Sequence, residues 1–155
     1  MKKRLIDVEC PFCHASFTMM KDTYLLQDGG LNKEEKALEE GLFFTHVCQS
    51  CHQTFLLCYP LIYRDVGRHF ALVLAQGDPD LTHLEEKIVL CRTPGQFLFA
   101  WKILSQGMDL SKALQARAKL EKEKGAKAAL ISADGTQNQL CFQIGDQLYV
   151  MIYSC

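Results

Sequence analysis

The chain has 155 residues, 48% of them apolar and 23% charged, with a formal net charge of −1. That length holds one domain or two small ones around a buried core. The near-neutral balance excludes a global basic field for nucleic acid or acidic lipid, and there is no acidic low-complexity tract.

The start, Met1-Lys2-Lys3-Arg4 followed by Leu5-Ile6-Asp7-Val8-Glu9, is basic but lacks the apolar run of an export signal. Uninterrupted apolar runs such as Phe70 to Ala75 are far too short to cross a bilayer. The expectation is a cytoplasmic protein with no membrane partner, whose thiols stay reduced.

Residues 4–9 alternate in polarity and predict a strand leading into Cys10-Pro11-Phe12-Cys13. His14 to Met20 suit the return strand of a hairpin. Residues 21–31, with Asp28-Gly29-Gly30, read as a loop. Asn32 to Glu40 read as a helix, with Asn32 as N-cap, Glu35 three residues on, and Gly41 past the end. Leu42 to Val47 predict a strand feeding Cys48-Gln49-Ser50-Cys51, and Gln53 to Tyr59 its return. Tyr63 to Arg68 read as a polar turn before a strand over His69 to Ala75, and Gly77-Asp78-Pro79-Asp80 as a linker.

Beyond it, Lys87 to Arg92 predict a strand. Thr93-Pro94-Gly95-Gln96 is a sharp helix start, with Thr as N-cap, Pro at the first helical position and Gln at the third. The helix Pro94–Gln106 carries Phe97, Leu98, Trp101, Ile103 and Leu104 and should be mostly buried, with Gly107 as its stop. Asp109 or Ser111 caps a second helix to Lys124, with Leu110, Ala113, Leu114 and Leu120 on one face and Gly125 as its end. Three short strands follow, over 128–132, 139–144 and 147–153, with Asp134-Gly135 and Gly145-Asp146 as turns.

The chemistry lies in the cysteines. There are eight, and four form two Cys-x-x-Cys pairs at strand ends. Each pair is a tight turn whose two sulfurs converge, and two such turns supply the four thiolates of a tetrahedral Zn²⁺ site. Cys10, Cys13, Cys48 and Cys51 are read as one structural zinc site, closed by four protein ligands and so without an open position for water or substrate. The 34 residues between the pairs exceed ordinary zinc-ribbon spacing, and the 32–40 helix accounts for the excess as an insertion. Cys58, Cys91 and Cys141 lie in apolar strands as small buried hydrophobes, and Cys155 is terminal.

Each pair is followed by histidine, so both stretches also match the haem-attachment pattern Cys-x-x-Cys-His. That chemistry is set aside, because it occurs outside the cytoplasm and strand-like alternation runs up to both motifs. The position after a knuckle's second cysteine favours left-handed backbone, which histidine tolerates better than most residues. His14, His46 or His52 could also serve as a back-up ligand. A dithiol redox site would need a helix after Cys13, and Ala15 to Met20 is a poor helix opening. Lys112, Arg117, Lys119, Lys122, Lys124 and Lys127 give the helix 111–124 and its tail the chain's only basic concentration, without interleaved aromatics. No phosphate loop, catalytic triad or carboxylate pair stands out, so no catalytic residue is assigned.

With Cys10-Pro11-Phe12-Cys13 and Cys48-Gln49-Ser50-Cys51 in place, the chain resembles the bacterial CpXC-domain family, named for Cys-Pro-x-Cys followed at a distance by Cys-x-x-Cys. Tyr59-Pro60-Leu61-Ile62-Tyr63-Arg64-Asp65 resembles the segment that follows the second pair in that family. The resemblance covers residues 8 to about 76, and more loosely Arg92-Thr93-Pro94 and Ile103 to Asp109. Departures are His14 and His52, where the family tends to have glycine, and Gln49, where proline is common in zinc knuckles. The resemblance implies a zinc-binding protein and supplies no catalytic residue.

The expectation is an α+β protein. A zinc-ribbon-like antiparallel β unit with an inserted helix spans 1–78, and a unit with a helical hairpin and antiparallel strands spans 79–155. Its zinc unit would present a surface to a protein partner. The alternative is a nucleic-acid-associated zinc ribbon using helix 111–124, and a thiol oxidoreductase is the third reading.

Overall fold

A computed structural model describes residues 3–27 and 32–152. Eleven strands and three helices lie among them, an α+β arrangement. Their contacts divide the chain into two compact units, Met1–Leu98 and Phe99–Cys155.

The first unit opens with the antiparallel hairpin β1 (Lys3–Glu9) and β2 (Ser16–Asp22), which meets at Glu9↔Ser16 around the first cysteine pair. The next strand, β3 (Tyr24–Gln27), overturns the expected loop over 21–31. It pairs in parallel with β6 (Leu61–Asp65), a partner far off in sequence. The rest of the expected loop, 28–31, lies outside the described residues.

Helix α1 (Asn32–Glu39) ends as the sequence predicts: Gly41 takes φ 75°, and the amides of Gly41 and Leu42 reach back to the carbonyls of Leu38 and Ala37. The side chain of Asn32, the expected cap, lies outside the description. The short hairpin β4 (Thr45–Val47) and β5 (Thr54–Leu56) holds the second cysteine pair. Both strands are shorter than predicted: the turn region 42–44 precedes β4, and 53 and 57–59 lie outside β5.

β6 replaces the first half of the turn predicted over Tyr63 to Arg68. The charges that made it read as a turn have distant or buried partners. Arg64 Nε donates to Glu86 at 2.6 Å, and buried Asp65 accepts the Arg68 amide at 2.8 Å and its guanidinium at 3.1 Å. The turn proper is 66–69, and β7 (Phe70–Leu74) is buried throughout.

β8 (Lys87–Cys91) pairs in parallel with β7, so the sheet β3-β6-β7-β8 spans the linker at 77–80. It is a mixed sheet, beside the two antiparallel hairpins. On one face Tyr63 lies against Phe70 and Phe97, and Phe97 stands edge-on to Phe44 at 5.3 Å. On the other, Ala71 and Val73 pack with Leu84, Leu81 and Ile88.

α2 (Pro94–Leu104) starts as predicted. Thr93 Oγ1 accepts from the Gln96 amide at 3.1 Å, and Gln96 Oε1 accepts from the Arg92 amide at 2.8 Å. Phe97 belongs to the first unit, and Phe99 and Ile103 to the second.

In the second unit, α3 (Leu110–Lys124) is capped by Asp109, which accepts the Lys112 amide, and ends at Gly125 with φ 65°. The sheet β9 (Ala129–Asp134), β10 (Gln139–Ile144) and β11 (Gln147–Ile152) is antiparallel in the order β11-β10-β9. Phe99, Ile103, Met108, Ala113, Leu120, Leu140 and Phe142 form its core. Tyr153 and Cys155 lie outside the described residues.

Candidate metal centre

Each cysteine pair turns the chain between two short strands in the same way. The Cys10 amide donates to the Ala15 carbonyl and the His14 amide to the Cys10 carbonyl, both at 2.9 Å. In the second turn Cys48 bonds to Gln53 and His52 to Cys48, again at 2.9 Å. His14 and His52 both adopt left-handed backbone, at φ 62° and 61°, as their place after the second cysteine predicts.

The two turns face each other. Cys10 Sγ lies 3.6 Å from Cys51 Sγ, and Cys13 Sγ lies 3.7 Å from Cys48 Sγ. All four sulfurs lie within 4.8 Å of one another, and none of these cysteines is in a disulfide. A tetrahedron of thiolates at the usual Zn–S bond length has edges of about 3.8 Å. The spacing therefore fits one tetrahedral ion, whereas an S–S bond requires about 2.0 Å. Cys10 and Cys48 are buried, Cys51 half-buried and Cys13 exposed.

The electrostatics of the cluster also favour a cation. Amides of Cys51 and Ser50 hydrogen-bond the Cys48 sulfur and hold its pKa down at about 7 against desolvation. Desolvation raises Cys10, but amides of Cys13 and Phe12 bring it below its ordinary value, the Phe12 amide at 3.4 Å. The second cysteine of each pair behaves oppositely. The Ala15 amide favours the Cys13 thiolate, yet desolvation and its sulfur neighbours win and raise it. At Cys51 the Gln53 amide is likewise outweighed, and the group is pushed up to about 12. Four thiolates this close cannot all ionise unless a positive charge sits among them.

The histidines lie elsewhere. His14 Nδ1 is 3.1 Å from Glu9 Oε1, on the exposed side of the hairpin. The His46 ring stacks on Phe17 at 5.0 Å and meets Phe55 edge-on at 5.5 Å. Among the described residues the group of clustered ligands is the four cysteines alone. Cys91, a buried thiol raised to about 11 by desolvation, and exposed Cys58 stand apart from it.

The Phe17–His46–Phe55 stack is what the sequence reading missed. Its signal was a longer repeat, Cys-Pro-Phe-Cys-His-Ala-Ser-Phe against Cys-Gln-Ser-Cys-His-Gln-Thr-Phe. Both copies place a phenylalanine four residues after the second cysteine, and both rings close on one imidazole.

The family model of the CpXC protein matches residues 8–124, a span that contains all four cysteines, the mixed sheet, α2 and α3. No curated protein and no solved structure matches the chain. No helix of the described residues is long and apolar enough to cross a membrane.

Proposed function

The chain belongs to the CpXC protein family, and from that premise we propose that it is a zinc protein whose ion is structural. The reading rests on one observation: twin turns bring four sulfurs within 4.8 Å of one another, two of the pairs at tetrahedral edge distance. Thiolate-rich tetrahedral sites favour Zn²⁺ or iron, and a lone ion without sulfide or redox duty is zinc. Cys10, Cys13, Cys48 and Cys51 would hold it, and it supplies the charge that lets all four ionise. Such a site needs a reducing compartment, which is the basis for proposing the cytoplasm.

The working role is a non-enzymatic module that presents its zinc unit to a protein. Leu5 and Met20 face each other across β1 and β2 and are both largely exposed, and Phe12 stands out at the first turn. The dithiol-oxidoreductase reading has little support, because β2 and β5, not helices, follow the two motifs. The nucleic-acid reading is weakened by the use of two of α3's cations: Arg117 lies over the Phe99 ring at 4.2 Å and Lys124 over Tyr149 at 4.9 Å.

Elemental analysis of reduced, purified protein tests the proposal. One zinc per chain is expected, lost when Cys10 and Cys48 are both replaced by serine. Substoichiometric metal, or iron with sulfide, would overturn it.

A further inference from the structure

The face of the mixed sheet that carries Val73 holds a second candidate site, away from the cysteines. Tyr24, Ile62 and Val73 lie in one register row across β3, β6 and β7, so their side chains leave the sheet on the same side. Farther along this face Leu81 and Leu84 close over Ala71 and Val73. Beside that cover, at the Tyr24–Ile62–Val73 row, lies a cavity of about 470 Å³ with Pro79 in its wall. Small-molecule sites run to a few hundred Å³ with an apolar lining and few polar groups.

Arg4 is the one permanently charged side chain in the lining. Arg4, from β1, and His83 line the cavity, and no carboxylate does. Arg4 forms no ion pair among the described residues. Three carboxylates lie near the cavity without lining it: Asp22, whose buried Oδ1 has no hydrogen-bond partner among the described residues, Glu86 and Asp80. Tyr24 and Glu86 both engage Arg64. Asp80, which faces His83, has Oδ1 held by the Thr82 amide at 3.1 Å and hydroxyl at 2.8 Å.

We propose that this cavity binds a small organic carboxylate: the apolar body lies on Tyr24, Ile62 and Val73, and the carboxylate meets Arg4, with His83 at the rim. An arginine fork matches a carboxylate better than any other anion-binding side chain does, and a cation left unpaired beside an apolar floor selects such an amphiphile. This site uses none of the metal ligands and stands or falls apart from the zinc reading.

The test is an amide NMR titration of the full chain, as purified under reducing conditions, with phenylacetate, and in parallel with its neutral counterpart 2-phenylethanol. Saturable shifts at Tyr24, Ile62, Val73 and Ala75 are expected with phenylacetate, and binding of the alcohol about tenfold weaker. Arg4→Ala should weaken phenylacetate about tenfold and leave the alcohol unchanged, with Arg4→Gln as the second variant should the first not fold. Ile62→Trp, which fills the floor, should abolish both. The proposal is overturned if phenylacetate does not saturate below about 10 mM, a limit weaker than ordinary metabolite sites. Shifts that map elsewhere, or an Arg4 variant that binds as the parent does, would also overturn it.

Discussion

A side chain at φ near +60° costs about 1 kcal/mol relative to glycine, and a β-branched one costs more. His14 and His52 occupy that region in both cysteine turns. His52→Gly should therefore keep its zinc and change stability by no more than about 1 kcal/mol. His52→Val should cost roughly 1–2 kcal/mol relative to the glycine variant, read as thermal unfolding of the zinc-loaded protein. The thiols make a second prediction. Cys13 and Cys51, both raised, keep their protons in the free site near neutral pH, and zinc must displace both. Binding then tightens as pH rises, by at least about a hundredfold per unit, since these two protons are released and Cys48, at about 7, gives up part of a third near pH 7. A competition titration with a chromogenic chelator at pH 7 and pH 8 measures this, and an affinity independent of pH would show that both sulfurs are already thiolates. The ligands were legible in the sequence because each pair's geometry is local, three residues apart. The ring stack was not, since Phe17, His46 and Phe55 come from three strands and meet only when the two turns face each other.

The same division between local and distant runs through the elements. The end of α1, the start of α2 and both ends of α3 were legible, because a cap is a contact between residues three to five apart, as at Gly41, Thr93 and Asp109. β3 and β6 were not. Tyr24–Gln27 is only four residues long and pairs with a strand thirty-eight positions away, at Tyr24↔Ile62. Nothing around Arg64 or Asp65 announces that their charges are matched inside the fold. The Asp65 side chain is buried and serves Arg68, which also reaches Glu35 on α1 at 3.3 Å, while Gln27 donates to the same carboxylate at 2.7 Å. Asp65→Ala would strand the Arg68 amide and part of this network, at an expected cost of about 2 kcal/mol in chemical denaturation. In the second unit the β9–β10 turn passes so near the end of α2 that a Cβ on Gly135 would overlap the Gln106 carbonyl oxygen. Gly135→Ala should cost about 1–3 kcal/mol, since the atom it meets is backbone and cannot swing aside. An unchanged midpoint for that variant would mean the turn relaxes freely.

At the scale of the molecule, the metal's contribution should be confined to part of the chain. Two-stranded hairpins are marginal on their own in water, and both β1–β2 and β4–β5 are of this kind. An ion held by the four thiolates would join their tips, and its binding energy would then be folding energy for the hairpins. The mixed sheet has its own buried side chains in Tyr63, Leu72 and Phe97, and the second unit's core of Ile103, Leu140 and Phe142 contains no metal ligand. Stripping the ion with a chelator under reducing conditions should therefore raise amide exchange strongly over 3–22 and 45–56. Residues 110–124 and 139–152 should keep most of their protection, because helix α3 and strands β10 and β11 rest on apolar packing that the chelator does not touch. Hydrogen exchange followed by mass spectrometry reads the two regions in one experiment. Equal loss in both would make the ion a keystone of the entire fold; unchanged exchange over 3–22 would mean the hairpins stand without it, and the structural role assigned to the cysteines would fail.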